Sequence, residues 1–177
     1  VKDSLETSAK NKHQVDNLKS LVNTSQDATA AIQVLIDKAP KDGGLVVLPA
    51  RKYIINVDKG GISLRSGIHL QLSANATLVS EPATSSHYSM IRIYSAKDVT
   101  VTGGTLVGDR KYHQGSGGEW GMGIDIRASS NVTVSDISIS NFWGDGIYVG
   151  TIPKNGVNLL SSNIDFENVT STYNRRQ

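Results

Sequence analysis

The sequence predicts an all-β solenoid, on three observations. A strand, a polar turn and a second strand recur in register, without any exact repeat of residues. Ile91-Arg92-Ile93-Tyr94 precedes Asp98-Val99-Thr100-Val101, and Ile124-Asp125-Ile126-Arg127 precedes Asn131-Val132-Thr133-Val134. Ile147-Tyr148-Val149 precedes Asn163-Ile164-Asp165-Phe166. Hydrophobic residues make up 38% of the chain and charged residues 19%, with 17 glycines among many Ser, Thr and Asn, which favours turns over helices. Ile68, Leu70 and Leu72 alternate with His69 and Gln71, so one face of that segment points inward.

The elements follow in order. Residues 1–24 read as a helix within a lead-in of residues 1–26. Val15, Leu18 and Val22 share a face, Val1 and Leu5 are loosely in register, and Ser8 and Lys12 interrupt the seam. So thin a stripe reads either as the end of a coiled-coil stalk or as a lead-in helix. Asp27 is the expected N-cap of a second helix over 28–39, with Ile32, Leu35, Ile36 and Ala39 on one side. Pro40 ends it, and Asp42-Gly43-Gly44 turns the chain into strands at 45–48 and 52–57. This helix is placed to plug the open apolar end of the solenoid. Residues 27–177 form the β-domain, whose corners include Gly60-Gly61 and Ser66-Gly67.

Spacing locates the irregularities. Ile91 and Ile124 lie 33 positions apart, but Ile124 and Ile147 only 23. Three short strands and three turns need roughly the smaller number, at about 3.3 Å per strand residue. The excess marks an insertion at residues 108–121. The 32 positions from Asn131 to Asn163 mark another at residues 151–158. Asp98, Asn131 and Asn163 occupy one turn and are expected to stack as a structural ladder, because Asn and Asp satisfy turn backbone and tolerate left-handed dihedrals.

Insertions from a regular scaffold are where function is sought. The first, with the strands after it, supplies Glu119, Asp125 and Asp145 as candidate catalytic carboxylates. Trp120, Trp143 and Tyr148 are candidate flat binding surfaces, and Arg110, His113 and Arg127 candidate basic groups. Glycoside cleavage needs two carboxyl groups roughly 5–9 Å apart, one with a raised pKa. Neighbouring rungs are about 4.8 Å apart, so Asp125 and Asp145 qualify by spacing. Each residue has a plainer reading: Asp145 as a turn residue, Asp125 with Arg127 as a surface ion pair, Glu119 as solvated, and Trp143 with Phe142 as packing.

Several classes fall away. Net charge is +2 with scattered basic residues, Arg51-Lys52 being a lone pair, so no nucleic-acid partner is expected. Without cysteine there is no disulfide or thiol chemistry. No apolar run reaches the length of a membrane span. His113 stands apart from His69 and His87, no spaced calcium loop occurs, and neither Gly103-Gly104 nor Gly115 to Gly118 fits a phosphate loop, so no metal or cofactor is expected. Lacking a signal-peptide pattern, an initiator Met and a closing cap, the chain reads as a fragment or processed product.

Residues 27–150 resemble the right-handed parallel β-helix proteins of the pectate-lyase-like superfamily. The likeness rests on Asp27-Ala28, Ala30-Ala31-Ile32-Gln33, Gly43-Gly44-Leu45-Val46-Val47-Leu48-Pro49-Ala50 and Tyr53. The resemblance implies a right-handed single-stranded parallel β-helix with a helical lead-in and a capping helix. The lead-in and the Gly-Asp-Gly-Ile rung are most similar to tailspike and neck-appendage proteins of bacteriophages of Gram-positive bacteria. That implies a homotrimer on the virion that attaches to, and in some members degrades, wall or capsular polysaccharide. Of the paired aspartates of the polygalacturonase branch, only Asp145 matches, and no Arg-x-Lys follows. Arg127 matches the lyase branch's basic residue by position alone. The alternatives are a receptor-binding or structural appendage without chemistry, and a secreted bacterial lyase, hydrolase or epimerase.

Overall fold

The computed structural model describes residues 26–41 and 43–176; residues 1–25 of the expected lead-in lie outside them. Among the described residues, helix α1 (Thr29–Lys38) precedes β1 (Gly44–Leu48), β2 (Lys52–Ile55) and β3 (Ile62–Leu64). The next circuit is β4 (Ile68–Leu72), β5 (Thr77–Ser80) and β6 (His87–Tyr94), followed by β7 (Lys97–Thr102), β8 (Thr105–Val107) and β9 (Trp120–Arg127). Then come β10 (Ser130–Ser140), β11 (Ile147–Gly150), β12 (Ile152–Lys154), β13 (Val157–Leu159) and β14 (Ser162–Thr172). Apart from the antiparallel β12–β13 hairpin, every strand pair among the described residues is parallel.

Each circuit lays its strands on those of the previous one. β1, β4, β7, β10 and β14 pile up along one wall, and β2, β5 and β8 join the second half of β10. β3, β6, β9 and β11 form a separate sheet. Like residues therefore stack: Ile62, Ile91, Ile124 and Ile147 along one line, and Val99, Val132 and Ile164 along another. Most of these side chains are fully buried, each contributing about 1.5–3 kcal/mol.

The corners explain how the coil turns. Asp98, Asn131 and Asn163 have φ of 58°, 53° and 52°. Asn131 Nδ2 donates to Asp98 Oδ1 and Asn163 Nδ2 to Asn131 Oδ1, both at 3.1 Å. A second ladder was not foreseen: Asp136 and Asn168, also left-handed, bend the long strands β10 and β14, and Asn168 Nδ2 donates to Asp136 Oδ1 at 2.8 Å.

Helix α1 plugs the first circuit with Ile32 and Ile36. Ala28, not Asp27, is its flanking residue, because Asp27 bridges to Ile54; the Asp27 carboxylate still accepts the Thr29 N–H at 2.9 Å. Gln33 acts as a substitute strand for the edge of β3, accepting from Ser63 N–H at 2.8 Å and donating to Ser63 C=O at 3.0 Å. An open sheet edge is thereby satisfied without a further strand. No helix among the described residues is long and apolar enough to cross a membrane.

Candidate functional site

A groove of about 590 Å³ runs across the outer face of β6, β9 and β11. Register creates it. Arg92 of β6, Asp125 of β9 and Tyr148 of β11 are successive partners, and Tyr94 is paired with Arg127. Alternation turns all of them outward while the neighbouring isoleucines enter the core. Toward the start of β6 the phase slips: Met90 and Ile91 are both buried, so the groove continues through Ser89 and His87. In β9 the slip falls at Gly123 and Ile124, and Met122 and Trp120 continue the lining.

Asp125 is the polar centre, 1% exposed. Its Oδ2 accepts from Ser89 Oγ at 2.9 Å and from the Tyr94 hydroxyl at 2.5 Å, and its Oδ1 accepts from Arg127 Nε at 2.8 Å. Burial and the bond to Asp125 push the Tyr94 hydroxyl pKa up, and the same carboxylate raises that of Arg127. The Arg127 guanidinium lies 4.9 Å from the Tyr148 ring centre and 5.7 Å from that of Tyr94. Arg92 Nε is buried with no hydrogen-bond partner among the described residues. Trp120, substantially exposed, stacks on His87 with ring centres 4.3 Å apart.

The groove adjoins a polar cluster at the root of the first insertion, and the two share Tyr88. Asp109, also 1% exposed, accepts from the Tyr88 hydroxyl and, at 2.8 Å, from Ala83 N–H. His113 Nδ1 lies 2.8 Å from Asp109 Oδ2, and its ring stacks on Trp143 at 4.0 Å. Arg175 covers the ring of Trp143, also at 4.0 Å. Burial and the Asp109 bond raise the Tyr88 pKa. Arg110 Nη1 donates to the carbonyls of Tyr173 and Asn174 at 2.6 and 2.9 Å.

Of the nine candidate residues, Trp120, Asp125, Arg127 and Tyr148 line the groove. His113 does not fit the polymer contact expected of it, because its side chain is wholly buried in the loop cluster. Trp143 is sandwiched between His113 and Arg175 and does not line the groove, and Arg110 ties the loop to the end of β14. Glu119 is exposed and also outside the groove lining. Asp145 is outside the groove lining as well, its Oδ1 3.5 Å from the Nε of Arg176, which does line it. Burial pushes the Asp145 carboxyl up, Arg176 opposes this and Glu119 adds to it. Gly144 and Gly146 are there for space: a Cβ would fall 2.5 Å from Glu119 O and 2.2 Å from Ser171 Oγ, respectively. The insertion at 151–158 forms the β12–β13 hairpin and adds nothing to the groove, because its strands pair with each other and leave the wall.

Sequence reasoning passed over Arg92, Tyr94, Ser89 and Arg176, all of which line the groove. A signal was available for two of them. Arg92 and Tyr94 occupy the same rung positions as Asp125 and Arg127, one circuit earlier. Ser89 was hidden by the slip in alternation. Among the described residues no group of three or more His, Asp or Glu is arranged to hold a metal ion.

Residues 44–177 match the family model described as "Right handed beta helix region". Two curated relatives come from Bacillus subtilis (strain 168). The uncharacterized protein YclG is 30% identical over 70% of this chain and 24% of its own length. The SPbeta prophage-derived uncharacterized protein YorA is 34% identical over 51% of this chain and 17% of its own. The chain thus spans about a quarter or less of the curated relatives it matches. Among solved structures, a candidate glycosyl hydrolase from Parabacteroides merdae ATCC 43184 superposes with a TM-score of 0.66 at 14% identity, covering 86% of this chain and 71% of that one. The mannuronan C-5 epimerase A-module of Azotobacter vinelandii gives 0.63 at 20% identity, covering 90% of this chain and 51% of that one. At these identities the likeness is one of fold.

Proposed function

The chain belongs to the right handed beta helix family, and on that footing we propose that it binds an acidic polysaccharide along the β6–β9–β11 groove. The observation that carries this is the gathering of guanidinium groups along one groove, beginning with Arg92 at its centre beside Asp125. Arg127 and Arg176 line the same groove, and Tyr94, Tyr148 and Trp120 offer ring surface to sugar faces. The hydrolase and epimerase names of the two structural neighbours support a polysaccharide as the polymer. We assign the segment to a homotrimeric tail or neck appendage of a virion, acting on a host wall or capsule. The resemblance of its lead-in and the prophage origin of one relative support that placement.

Titrating oligouronates against the uncharged oligosaccharides of equal length tests the reading. Arg92→Ala is expected to weaken uronate binding about tenfold, the scale of one charge-assisted contact, and to leave thermal stability unchanged. Equal affinity for charged and neutral oligomers, or unaltered binding by Arg92→Ala, would overturn it. Cleavage is a second reading, favoured by the position of Asp145, which lies behind the groove residue Arg176 at 3.5 Å and whose carboxyl pKa burial raises. Reducing-end and unsaturated-sugar assays on wild type and Asp145→Asn decide it: no product from wild type rejects cleavage.

A further inference from the structure

A second cavity, of about 540 Å³, is lined by Arg110 and Lys111 of the first insertion and by Ser140, Asn141, Thr172 and Tyr173 at the ends of β10 and β14. It shares no lining residue with the groove. We propose that it is a separate subsite for an oxyanion carried on a polymer, either the carboxylate of a uronic acid or the phosphate of a phosphodiester chain. Two cations line it and no carboxylate does. Arg110 is oriented beforehand: Nη1 is held by the carbonyls of Tyr173 and Asn174, so little side-chain entropy is lost when the rest of the fork meets a ligand. Ser140 is oriented too. Its Oγ accepts from Asn141 Nδ2 at 3.1 Å, which leaves the hydroxyl proton to donate elsewhere. Thr172 adds a second hydroxyl, and the well-exposed ring of Tyr173 adds a flat apolar surface beside the cations. The pocket therefore combines donors, positive charge and a ring without any competing acid. That set suits a charged residue within a glycan or polyol chain.

The test is an amide-resolved NMR titration of the protein with inorganic phosphate at constant ionic strength. Saturable shifts are expected at Arg110, Lys111, Ser140, Asn141, Thr172 and Tyr173. Arg110→Ala also unties the end of β14, so the decisive variant is Lys111→Glu, which reverses one exposed charge. It should weaken binding at least about tenfold with an unchanged melting curve. Arg92→Ala, in the groove, should leave these shifts untouched, so failure here and failure of the groove reading are told apart. A poly(glycerol phosphate) chain or an oligouronate that displaces phosphate from these residues identifies the source of the oxyanion. Absence of saturable shifts, full affinity in Lys111→Glu, loss in Arg92→Ala, or displacement by neither polymer would each overturn the subsite.

Discussion

Asp109 and Asp125 are equally buried, and each accepts three hydrogen bonds, one of them from a tyrosine hydroxyl. Their surroundings differ. Asp109 gathers Tyr88, His113 and the Ala83 amide into a knot that fixes the first insertion to the coil, and of these only Tyr88 also lines the groove. The side-chain partners of Asp125, namely Ser89, Tyr94 and Arg127, all line the groove. Burial of a carboxylate therefore does not by itself mark a site. What distinguishes the two is whether the carboxylate and its partners together face a space that a ligand can enter: Asp125 and all its side-chain partners line the groove, whereas Asp109 and His113 do not.

The largest effect separates these two directly. Asp109→Ala strands three buried donors at once, and is expected to cost about 3–5 kcal/mol in denaturant unfolding. Asp125→Asn keeps the side-chain shape and an oxygen that still accepts from Ser89 and Tyr94, and the one donor it strands, on Arg127, is partly exposed, so it is expected to cost about 1–2 kcal/mol. If Asp125→Asn proves as destabilising as Asp109→Ala, the groove carboxylate is structural and the contrast fails.

The same two aspartates show how much the sequence revealed. The coil, its capping helix and the Asp98–Asn131–Asn163 ladder were legible because each depends on local pattern: strand alternation, an amphipathic helix, and turn residues at a repeating interval. Asp125, Arg127 and Tyr148 were legible as a face because register carries them there. The Asp109 cluster was not, since it joins Ala83, Tyr88 and His113 across a loop whose path no periodicity governs. Trp143 was accordingly read as a flat binding surface and His113 as a basic group for the polymer, although their rings stack on each other. Asp136 and Asn168 were missed for another reason. They bend strands from within, where the apolar pattern on either side continues.

A smaller effect sharpens the contrast by testing polar groups in the open. Asn131 is exposed, left-handed and bonded to both neighbours in its ladder. Asn131→Ala loses these bonds and keeps an unfavourable φ, at an expected cost of about 1–2 kcal/mol. Asn131→Gly loses the same bonds but accepts the φ, so its cost should be the lesser. Equal losses would place the stability in the amide ladder and not in the backbone bend.

The smallest effect is one of pH, and it sets a half-enclosed carboxyl against an open one. Burial raises the Asp145 carboxyl above its ordinary 3.8, with Arg176 opposing and Glu119 reinforcing. The folded state thus holds the proton more tightly than the unfolded chain. The contribution of Asp145 to stability is fully present below the unfolded pKa and is lost as pH rises through the folded one. Asp58 runs the other way. Burial alone would raise it, but the Thr84 and Ser85 amides and the Thr84 hydroxyl outweigh that and bring it below 3.8. Its contribution is present above the unfolded value and is lost as pH falls through the folded one. Relative to wild type, Asp145→Asn should therefore gain stability as pH rises above 3.8, whereas Asp58→Asn should lose its deficit as pH falls below it. Parallel pH slopes in urea unfolding of the two variants would contradict the assignment. If Asp145 also acts as a proton donor in cleavage, activity must fall over the same pH range in which its stabilising contribution disappears.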